Sequence, residues 1–357
     1  MADITIEKGR LFLNANASFF LPLPLEALCF FASLGLTMFT AALFTRRLEA
    51  ICDRLELSAG VLSLLGALGA NIPNYVASID AIARGSSEVG LGIIIGSNIY
   101  NIAIILGLAT FAMPERKGFL LSLEEARQVR GVGVYTLTIM LTTLLLIALL
   151  FQRSARSVVA TSPLISGLLL LTALVELGIF VLLAWHVLRR PHPVYAEKHD
   201  PEAATMRRRS LRRLVIEALL ALAVALGGVL VMVQTGQDVT TEMHMAPALA
   251  GLLVLAIATS LPNTVVAIIL VRTGRAAACV EEIFSSNSVN AVLGIALPLL
   301  FWSSGVHDPL LLILDVPLMV LLTLWAWLWA RRGRFQRSTG AVLLLSYIIW
   351  IGVHLFI

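Results

Sequence analysis

The sequence predicts an all-α, polytopic membrane protein, and three observations lead to this prediction. Of the 357 residues, 59% are apolar and only 13% are charged, which leaves too little polar surface for a soluble protein of this size. Apolar runs repeatedly exceed about 18 residues, the length at which a helix spans a bilayer. One long segment also occurs twice. Because the apolar runs are continuous and do not alternate with polar residues, a β-barrel is excluded.

Ten apolar segments are predicted to cross the membrane as helices, each with the roughly 20 residues that a hydrocarbon core of about 30 Å requires. Their approximate ranges are 23–44, 58–83, 88–112, 132–151, 163–188, 212–233, 247–271, 277–302, 309–330 and 340–357. With this count, one side of the membrane receives 21 of the 26 Lys and Arg residues. Basic loops stay in the cytoplasm, so both termini are predicted to lie outside. We expect an integral protein of a plasma (inner) membrane of prokaryotic type.

The segment that occurs twice organises the chain. Residues 69–101 align without a gap with residues 258–290, at a constant offset of 189 positions. The matched positions are Pro73 with Pro262, Asn74 with Asn263, Val76 with Val265, Gly85 with Gly274, Ser97 with Ser286, Asn98 with Asn287 and Asn101 with Asn290. The first hairpin glycine falls outside and the second in the cytoplasm, so the two copies are predicted to be inverted. Secondary transporters use this layout for alternating access.

The predicted domains follow from this duplication. Residues 1–188 form a first five-helix repeat, with its repeat motif at 66–112. A cytoplasmic linker covers 189–211, and residues 212–357 form the second five-helix repeat, with its motif at 255–302. A solvated linker that fixes topology is favoured over a regulatory or lipid-binding role for the central segment.

The prolines of the two copies locate a candidate site. Pro73 and Pro262 each remove a backbone donor and are predicted to break their helices; in lipid, such a break must face protein, water or an ion. Small polar residues adjoin both prolines and recur at one-turn spacing on the partner helices. They are Asn71, Asn74, Ser97 and Asn101 in the first copy, and Ser260, Asn263, Ser286 and Asn290 in the second. Hydroxyl and amide oxygens near the midplane suit hard cations such as sodium and calcium.

Helix packing is the alternative explanation of these polar residues. Ser and Asn also hold membrane helices together beside small residues such as Gly92 and Gly96. Packing gives no reason, however, for both clusters to recur at the same spacing in two inverted copies. A site for an ion or a solute is therefore the favoured interpretation.

Two stretches resemble the alpha-repeats of the calcium/cation antiporter superfamily, the sodium/calcium exchangers. Ala258-Thr259-Ser260-Leu261-Pro262 is similar to the G-T-S-x-P-E pattern, and Gly96-Ser97-Asn98-Ile99-Tyr100-Asn101 to G-S-N-x-x-N or G-S-N-x-x-D. The resemblance covers essentially the whole chain and implies ten helices with outward termini, and cation antiport. It also implies that the first and sixth spans slide to gate access and that broken helices carry the main ligands. The cation-lining residues that it implies are Ser97, Asn101, Thr259, Ser260, Ser286 and Asn290.

The chain departs from this pattern at the charged ligands. Where the family has a glutamate after each proline, the chain has Asn74 and Asn263, and Ala70-Asn71 replaces Thr-Ser in the first copy. Amides supply oxygens without charge, and an unneutralised ion in a low-dielectric site costs several kcal/mol. Ordinary sodium/calcium exchange through the usual ligands is therefore in question.

Glu282 is the candidate for the missing negative charge. It lies four residues before Ser286 on the same helix face, and the first copy has Ile93 at the matching place. The alternative is that Glu281 and Glu282 only occupy the first turn of a helix, where the helix dipole favours acids. Two further acids, Glu176 and Asp315, lie within apolar runs. Each is interpreted as a neutral helix contact or as part of a proton path.

Three functional hypotheses stay open. The chain is a cation antiporter, for calcium or for monovalent ions or protons; a carrier of a neutral solute on the same fold; or a non-transporting scaffold or sensor with a degenerate site. No catalytic His, Cys or Ser spacing supports an enzyme. The expected partners are membrane lipid and small cations, without nucleic acid. No cofactor is expected beyond a transported calcium, sodium or proton, and the oligomeric state is left open.

Overall fold

The structure is a computed structural model that describes residues 4–7, 10–13, 22–55, 59–112, 118–155, 163–189, 209–272, 274–302 and 305–356. Within these residues, eight helices are long and apolar enough to cross a membrane. The chain is thus an all-α integral membrane protein. The eight helical spans are Leu23–Leu48, Ser87–Ala112, Leu123–Ser154, Pro163–Leu188, Leu211–Glu242, Pro247–Arg272, Leu311–Arg332 and Arg337–Phe356.

The helices of the first half follow in chain order. They are α1 (Leu23–Arg54), α2 (Ala59–Ala70), α3 (Ile72–Ala83), α4 (Ser87–Tyr100), α5 (Gly107–Ala112), α6 (Leu123–Ala155) and α7 (Pro163–Leu188). A π-helical turn, Asn101–Leu106, joins α4 to α5 without a break. Wide turns of this kind are often found at functional sites in helices.

The second half has a similar succession of helices. They are α8 (Leu211–Glu242), α9 (Pro247–Leu249), α10 (Ala256–Arg272), α11 (Ala276–Ala291), α12 (Leu297–Leu299), α13 (Val316–Arg332) and α14 (Arg337–Phe356). Three π-helical turns, Ala250–Leu255, Val292–Ala296 and Leu311–Asp315, precede α10, follow α11 and precede α13. The turn after α11 begins two residues beyond Asn290, and the turn after α4 begins at its counterpart Asn101.

Within the described ranges, four short strands form two antiparallel pairs. The strand β1 (Ile4–Glu7) pairs with β2 (Arg10–Leu13), and β3 (Phe119–Leu120) pairs with β4 (Arg334–Phe335). The second pair joins the segment before α6 to the turn between α13 and α14 by hydrogen bonds. Gly333, which ends α13 with a φ of 63°, makes that turn possible.

The helix through the first proline is broken as predicted. α2 ends at Ala70, Asn71 has a non-helical φ of −97° and ψ of 3°, and α3 starts at Ile72 with Pro73 in its first turn. Both predicted hairpin glycines, Gly85 and Gly274, have positive φ values of 88° and 78°, which glycine adopts without steric cost.

The break predicted at Pro262 is wrong, because α10 runs through this proline without interruption. Neighbouring hydroxyls bond the carbonyls of this helix: Thr259 donates to Leu255 O at 2.8 Å, and Thr264 donates to Ser260 O at 3.4 Å. These bonds do not replace the one that Pro262 removes, because the carbonyl without its donor is Ala258 O, four residues earlier. Packing against neighbouring helices lets a membrane helix accommodate such a proline, and α10 packs against α4 and α11.

α4 is the central helix of the molecule. Of the 18 most apolar consecutive residues in the span Ser87–Ala112, 94% are buried. The corresponding share in the span Leu23–Leu48 is 28%. Glycines allow α4 to approach the segment that runs from α9 to the start of α10: a Cβ on Gly92 would lie 2.7 Å from Ala248 O, and one on Gly96 would lie 2.7 Å from Ala256 Cβ. This close approach of two backbones brings the polar residues of both copies together.

α1 and α8 pack against each other along the outside of this core. Gly228 on α8 leaves room for Thr37 on α1, and Gly236 does the same for Phe30. At one end of the pair, Arg47 Nε lies 2.6 Å from Glu217 Oε2. Arg209 and Arg213 contact the same carboxylate at 2.7 and 2.9 Å.

Candidate functional site

All ten side chains that the sequence nominated are buried in the centre of the helical core. Glu282 is 7% exposed to solvent, and each of the other nine residues is 1% exposed or less. They come from α3 and the break before it, from α4 and its π-helical turn, and from α10 and α11. Burying polar side chains is unfavourable unless they are hydrogen-bonded or hold a ligand. Their partners therefore define the site.

Asn71, at the break between α2 and α3, is the hub of the site. Its Oδ1 accepts from Asn74 Nδ2 at 3.1 Å and from Asn263 Nδ2 at 2.8 Å. Since two amides of matched position share one acceptor, the two copies meet at this atom. Its Nδ2 donates to Ala67 O at 2.6 Å and to Ser286 Oγ at 2.7 Å.

Glu282 belongs to the same network through a single serine. Ser286 Oγ accepts from Asn71 and donates to Glu282 Oε1 at 2.9 Å. The other carboxylate oxygen, Oε2, is buried and has no hydrogen-bond partner in the part of the chain that the structure describes. The carboxylate is therefore directed into the polar core, and its burial argues against the alternative of a solvated acid in a first turn.

A second group of asparagines extends the network. Asn290 Oδ1 accepts from Asn74 Nδ2 at 3.3 Å, and Asn290 Nδ2 donates to Asn98 Oδ1 at 3.1 Å. Symmetrically, Asn101 Nδ2 donates to Asn287 Oδ1 at 2.9 Å. Each bond joins the first copy of the repeat to the second.

The sequence prediction omitted Asn98 and Asn287 from the site residues. Both are buried and orient the amides of Asn101 and Asn290. Both copies of the repeat have asparagine at this matched position. This repetition was the signal that could have identified the two residues. Because they bind other side chains and backbone, we interpret them as positioning residues.

Ser97 and Thr259 lie beside one backbone carbonyl. Ser97 Oγ donates to Ala256 O at 3.4 Å, and Thr259 Oγ1 approaches the same oxygen at 3.3 Å while donating to Leu255 O. Ser260 Oγ is buried and makes no hydrogen bond to any residue that the structure describes. No hydrogen bond between described residues links these three side chains directly to the Asn71 network.

The free atoms of the site share one property: they are oxygens. All seven amide nitrogens of the site donate a hydrogen bond; they belong to Asn71, Asn74, Asn98, Asn101, Asn263, Asn287 and Asn290. Five buried oxygens have no partner among the described residues: Oδ1 of Asn74, Asn101 and Asn263, Oγ of Ser260 and Oε2 of Glu282. Each unmet acceptor costs about 1–3 kcal/mol, so the arrangement favours a bound cation.

This donor set differs from a metal site made of charged or sulfur ligands. Among the described residues, no group of three or more His, Cys, Asp or Glu side chains could hold a metal ion. Three amide oxygens, a hydroxyl and one carboxylate fit a hard cation that prefers oxygen.

The two other intramembrane acids lie apart from this network. Glu176 Oε1 accepts from Thr143 Oγ1 at 3.0 Å. Asp315 Oδ1 lies 2.7 Å from Trp350 Nε1 and 2.7 Å from His354 Nε2. Sequence reasoning identified neither pairing, because Thr143, Trp350 and His354 are distant from these acids in the chain.

Known proteins share the sequence pattern over most of the chain. The sequence model of the family described as "Sodium/calcium exchanger protein" matches residues 25–189 and 214–356. The inner membrane protein YrbG of Escherichia coli K12 is 29% identical over 299 residues, covering 80% of this chain and 83% of its own. The candidate antiporter CaxA of Alkalimonas amylolytica is 25% identical over 326 residues, covering 88% of this chain and 94% of its own.

A solved structure shares the fold. A crystal form of the sodium-calcium exchanger NCX_Mj soaked with Na⁺ and Sr²⁺ superposes with a TM-score of 0.63. The alignment covers 93% of this chain and 99% of the exchanger, with 20% sequence identity. At this identity the likeness establishes the fold alone.

Proposed function

Because the chain belongs to the sodium/calcium exchanger protein family, we propose that it exchanges cations across the membrane. Members of this family are transporters that use transported ions and no catalytic cofactor. The predictions that the chain is not an enzyme and that it belongs to the calcium/cation antiporter superfamily are therefore confirmed.

The main support for cation exchange is the balance of hydrogen-bond donors and acceptors in the central site. Each of its seven amide nitrogens donates at least one hydrogen bond within the protein, whereas five buried oxygens have no partner among the described residues. A neutral or zwitterionic solute would need donors as well as acceptors from the site, and an anion would need donors. The unpartnered oxygens include one of the Glu282 carboxylate, which favours a cation over a neutral solute or an anion. This weighs against the neutral-solute hypothesis. The five unmet acceptors also weigh against a scaffold or sensor, which gains nothing from leaving them unbound.

The net charge of the ligands bears on which cation is exchanged. The network contains one carboxylate, Glu282, where the family pattern has two glutamates after its prolines. One carboxylate neutralises a monovalent cation, whereas a divalent cation would retain one uncompensated charge at a cost of several kcal/mol. We therefore propose a monovalent cation of the sodium class, or a calcium ion bound together with a compensating change elsewhere, as the two ions to be distinguished.

The proposed mechanism is alternating access between two inverted repeats. The repeats cover 1–188 and 212–357, joined by a cytoplasmic linker at 189–211, and the ten predicted spans place both termini outside. The Asn71 hub supports this layout, because its Oδ1 accepts from Asn74 and Asn263, which occupy matched positions of the two copies. The peripheral pair α1 and α8, held by Arg47 and Glu217, is a suitable unit to slide over the core and expose the site to either side.

The test is flux into proteoliposomes that contain the purified chain. Sodium, calcium, potassium and pH gradients are imposed one at a time, and uptake of each cation is followed with and without a counter-cation inside. The proposal expects uptake that depends on a trans cation and is lost in Glu282→Gln. Absence of cation-dependent flux under every gradient would overturn cation exchange. Flux of calcium without flux of any monovalent cation would decide between the two candidate ions in favour of calcium.

A further inference from the structure

A cavity of about 180 Å³ lies between α6, α7 and the segment after α11, away from the central site. One end is lined by Arg153, Ser166 and Trp302, none of which is buried. The other end is lined by Leu146, Leu169 and Ala173, which are buried. The cavity thus leads from the surface of the protein toward its interior. By the predicted topology, the surface end lies outside.

Glu176 lies just beyond the buried end of this cavity. It follows Ala173 by three residues on α7, and its partner Thr143 precedes Leu146 by three residues on α6. Residues at this spacing are neighbours on one helix face. The Glu176 side chain is completely buried, and its Oε2 has no hydrogen-bond partner among the described residues.

No positive charge among the described neighbours compensates this carboxyl group. On α6 the groups beside it are the hydroxyls of Thr142 and Thr143. α2, the π-helical turn Val292–Ala296 and α12 also pack against α7, and their sequences contain no titratable residue. Arg153 is the charged group of the cavity lining, and it is at the opposite end. An ion without a counter-charge is strongly disfavoured in such surroundings, so burial favours the neutral carboxylic acid.

We propose that Glu176 is a proton-binding site, separate from the central cation site, which exchanges its proton through this cavity with the side of the membrane where Arg153 lies. A metal cation does not fit the same place. One carboxylate and two hydroxyls provide fewer oxygens than the six to eight that calcium takes. The leucine walls supply no further ligand. A proton needs only the carboxylate oxygen and transient water.

The position of α7 connects this site to the central one. α7 packs against α2, which ends next to Asn71, and against the π-helical turn that begins two residues after Asn290. A change of charge on Glu176 would therefore act on two elements that hold the cation site. This effect on transport rests on the proposed function, but proton binding itself does not.

Chemical labelling tests the proposal without measuring transport. The purified full-length chain in sealed proteoliposomes is treated with dicyclohexylcarbodiimide, an apolar reagent that modifies protonated carboxyl groups, and adducts are located by mass spectrometry. We expect an adduct on Glu176. Its yield should decrease as the pH is raised on the Arg153 side of the membrane and should not change with the pH on the other side. Reaction of Arg153→Cys with an impermeant maleimide, relative to the parent chain, identifies that side.

Matched variants test the route of the proton. Ser166→Trp, which fills the exposed end of the cavity, is expected to slow the response of labelling to a pH jump by about tenfold or more. Leu164→Trp, at a 69% exposed position of α7 that does not line the cavity, should leave that rate unchanged. Glu176→Gln should lose the adduct and Asp315→Asn should keep it.

Two results would overturn the inference. One is the absence of an adduct on Glu176 of the unmodified chain at any pH, and the other is labelling that follows the pH of the opposite side. A chain that labels as expected but moves no cation would instead overturn the proposed function and leave this inference in place.

Discussion

Asn98 and Asn287 exchange hydrogen bonds at the centre of the molecule, each side-chain amide donating to the backbone carbonyl of the other at 3.3 and 3.1 Å. The two residues are 189 positions apart, which is the offset of the duplicated segment. A reciprocal contact between matched positions is what a two-fold axis between the copies would produce. The pair therefore supports the proposed repeat layout and links the halves of the site.

The first prediction concerns the coupling of this pair. Asn98→Ala and Asn287→Ala should each lower the free energy of unfolding by about 2 kcal/mol, since each removes a side-chain hydrogen bond to a buried helix carbonyl and leaves a neighbouring side-chain amide unpaired. The double variant should cost about 0.5–3 kcal/mol less than the sum, because residues in contact are not additive. Thermal unfolding in detergent measures all three. Additive losses would show that the two residues do not act as a pair.

The second prediction separates Glu282 from its neighbour. Glu282 is buried against Ser286, whereas Glu281 is half-buried and points about 100° away on the helix. Glu282→Gln should reduce cation-dependent flux by tenfold or more, because it removes the one charge of the network. Glu281→Gln, the matched control, should keep flux within about twofold. Equal losses in both variants would indicate a general effect of helix charge and contradict a ligand role for Glu282.

The polar core could be predicted because the duplication marks it. Asn74, Asn263, Ser286 and Asn290 were nominated from matched spacing, and the structure buries them in one network. The hub role of Asn71 could not be predicted, because it depends on a hydrogen bond to Asn263, 192 residues away. Sequence spacing describes neighbours within a helix and says little about which helices meet.

Helix ends and breaks were predicted less well, for a related reason. The predicted first span ended at residue 44, but α1 continues to Arg54, and α8 likewise continues past residue 233 to Glu242. Hydropathy detects the stretch in lipid, whereas backbone hydrogen bonds continue the helix into water. Similarly, a proline in a membrane helix does not always break it, because packing against neighbouring helices can support the continued helix. α10 packs against α4 and α11 and continues through Pro262.

The third prediction concerns the ion pairs that join α1 to α8. Glu217→Gln should lower the free energy of unfolding by about 2 kcal/mol or more, because Arg47, whose side chain is only 10% exposed, would lose its carboxylate partner. Asp80→Asn is the matched control: it breaks the pair with Arg84, whose side chain is 53% exposed, and should cost at most about 0.5 kcal/mol.

Thermal unfolding at low and high salt checks this difference. The loss in Glu217→Gln should persist at high salt, because partly buried pairs are screened less than exposed ones. Similar losses in both variants, or a Glu217→Gln effect that disappears in salt, would mean that the pair with Arg47 contributes no more than a surface contact.

The last prediction tests whether the free oxygens of Asn74 and Asn263 face the cation. Asn74→Leu and Asn263→Leu each remove one such oxygen and one amide bond to Asn71, and should abolish transport. Asn263→Asp keeps the shape and adds a charge where the family pattern has glutamate. Together with Glu282 it would neutralise a divalent ion, so calcium should bind at least tenfold more tightly, which corresponds to about 1.4 kcal/mol. Calcium-dependent thermal stabilisation measures this change, because a ligand that binds only the folded state raises its stability.

The control for this charge is Asn287→Asp. Asn287 belongs to the same network, but its Oδ1 already accepts from Asn101, so the new charge does not replace a free oxygen. We expect a smaller gain in calcium stabilisation there than in Asn263→Asp. An equal gain would mean that net charge alone, and not the direction of the oxygen, sets the preference. No gain in either variant, with normal transport in Asn74→Leu and Asn263→Leu, would place the cation site away from the two asparagines.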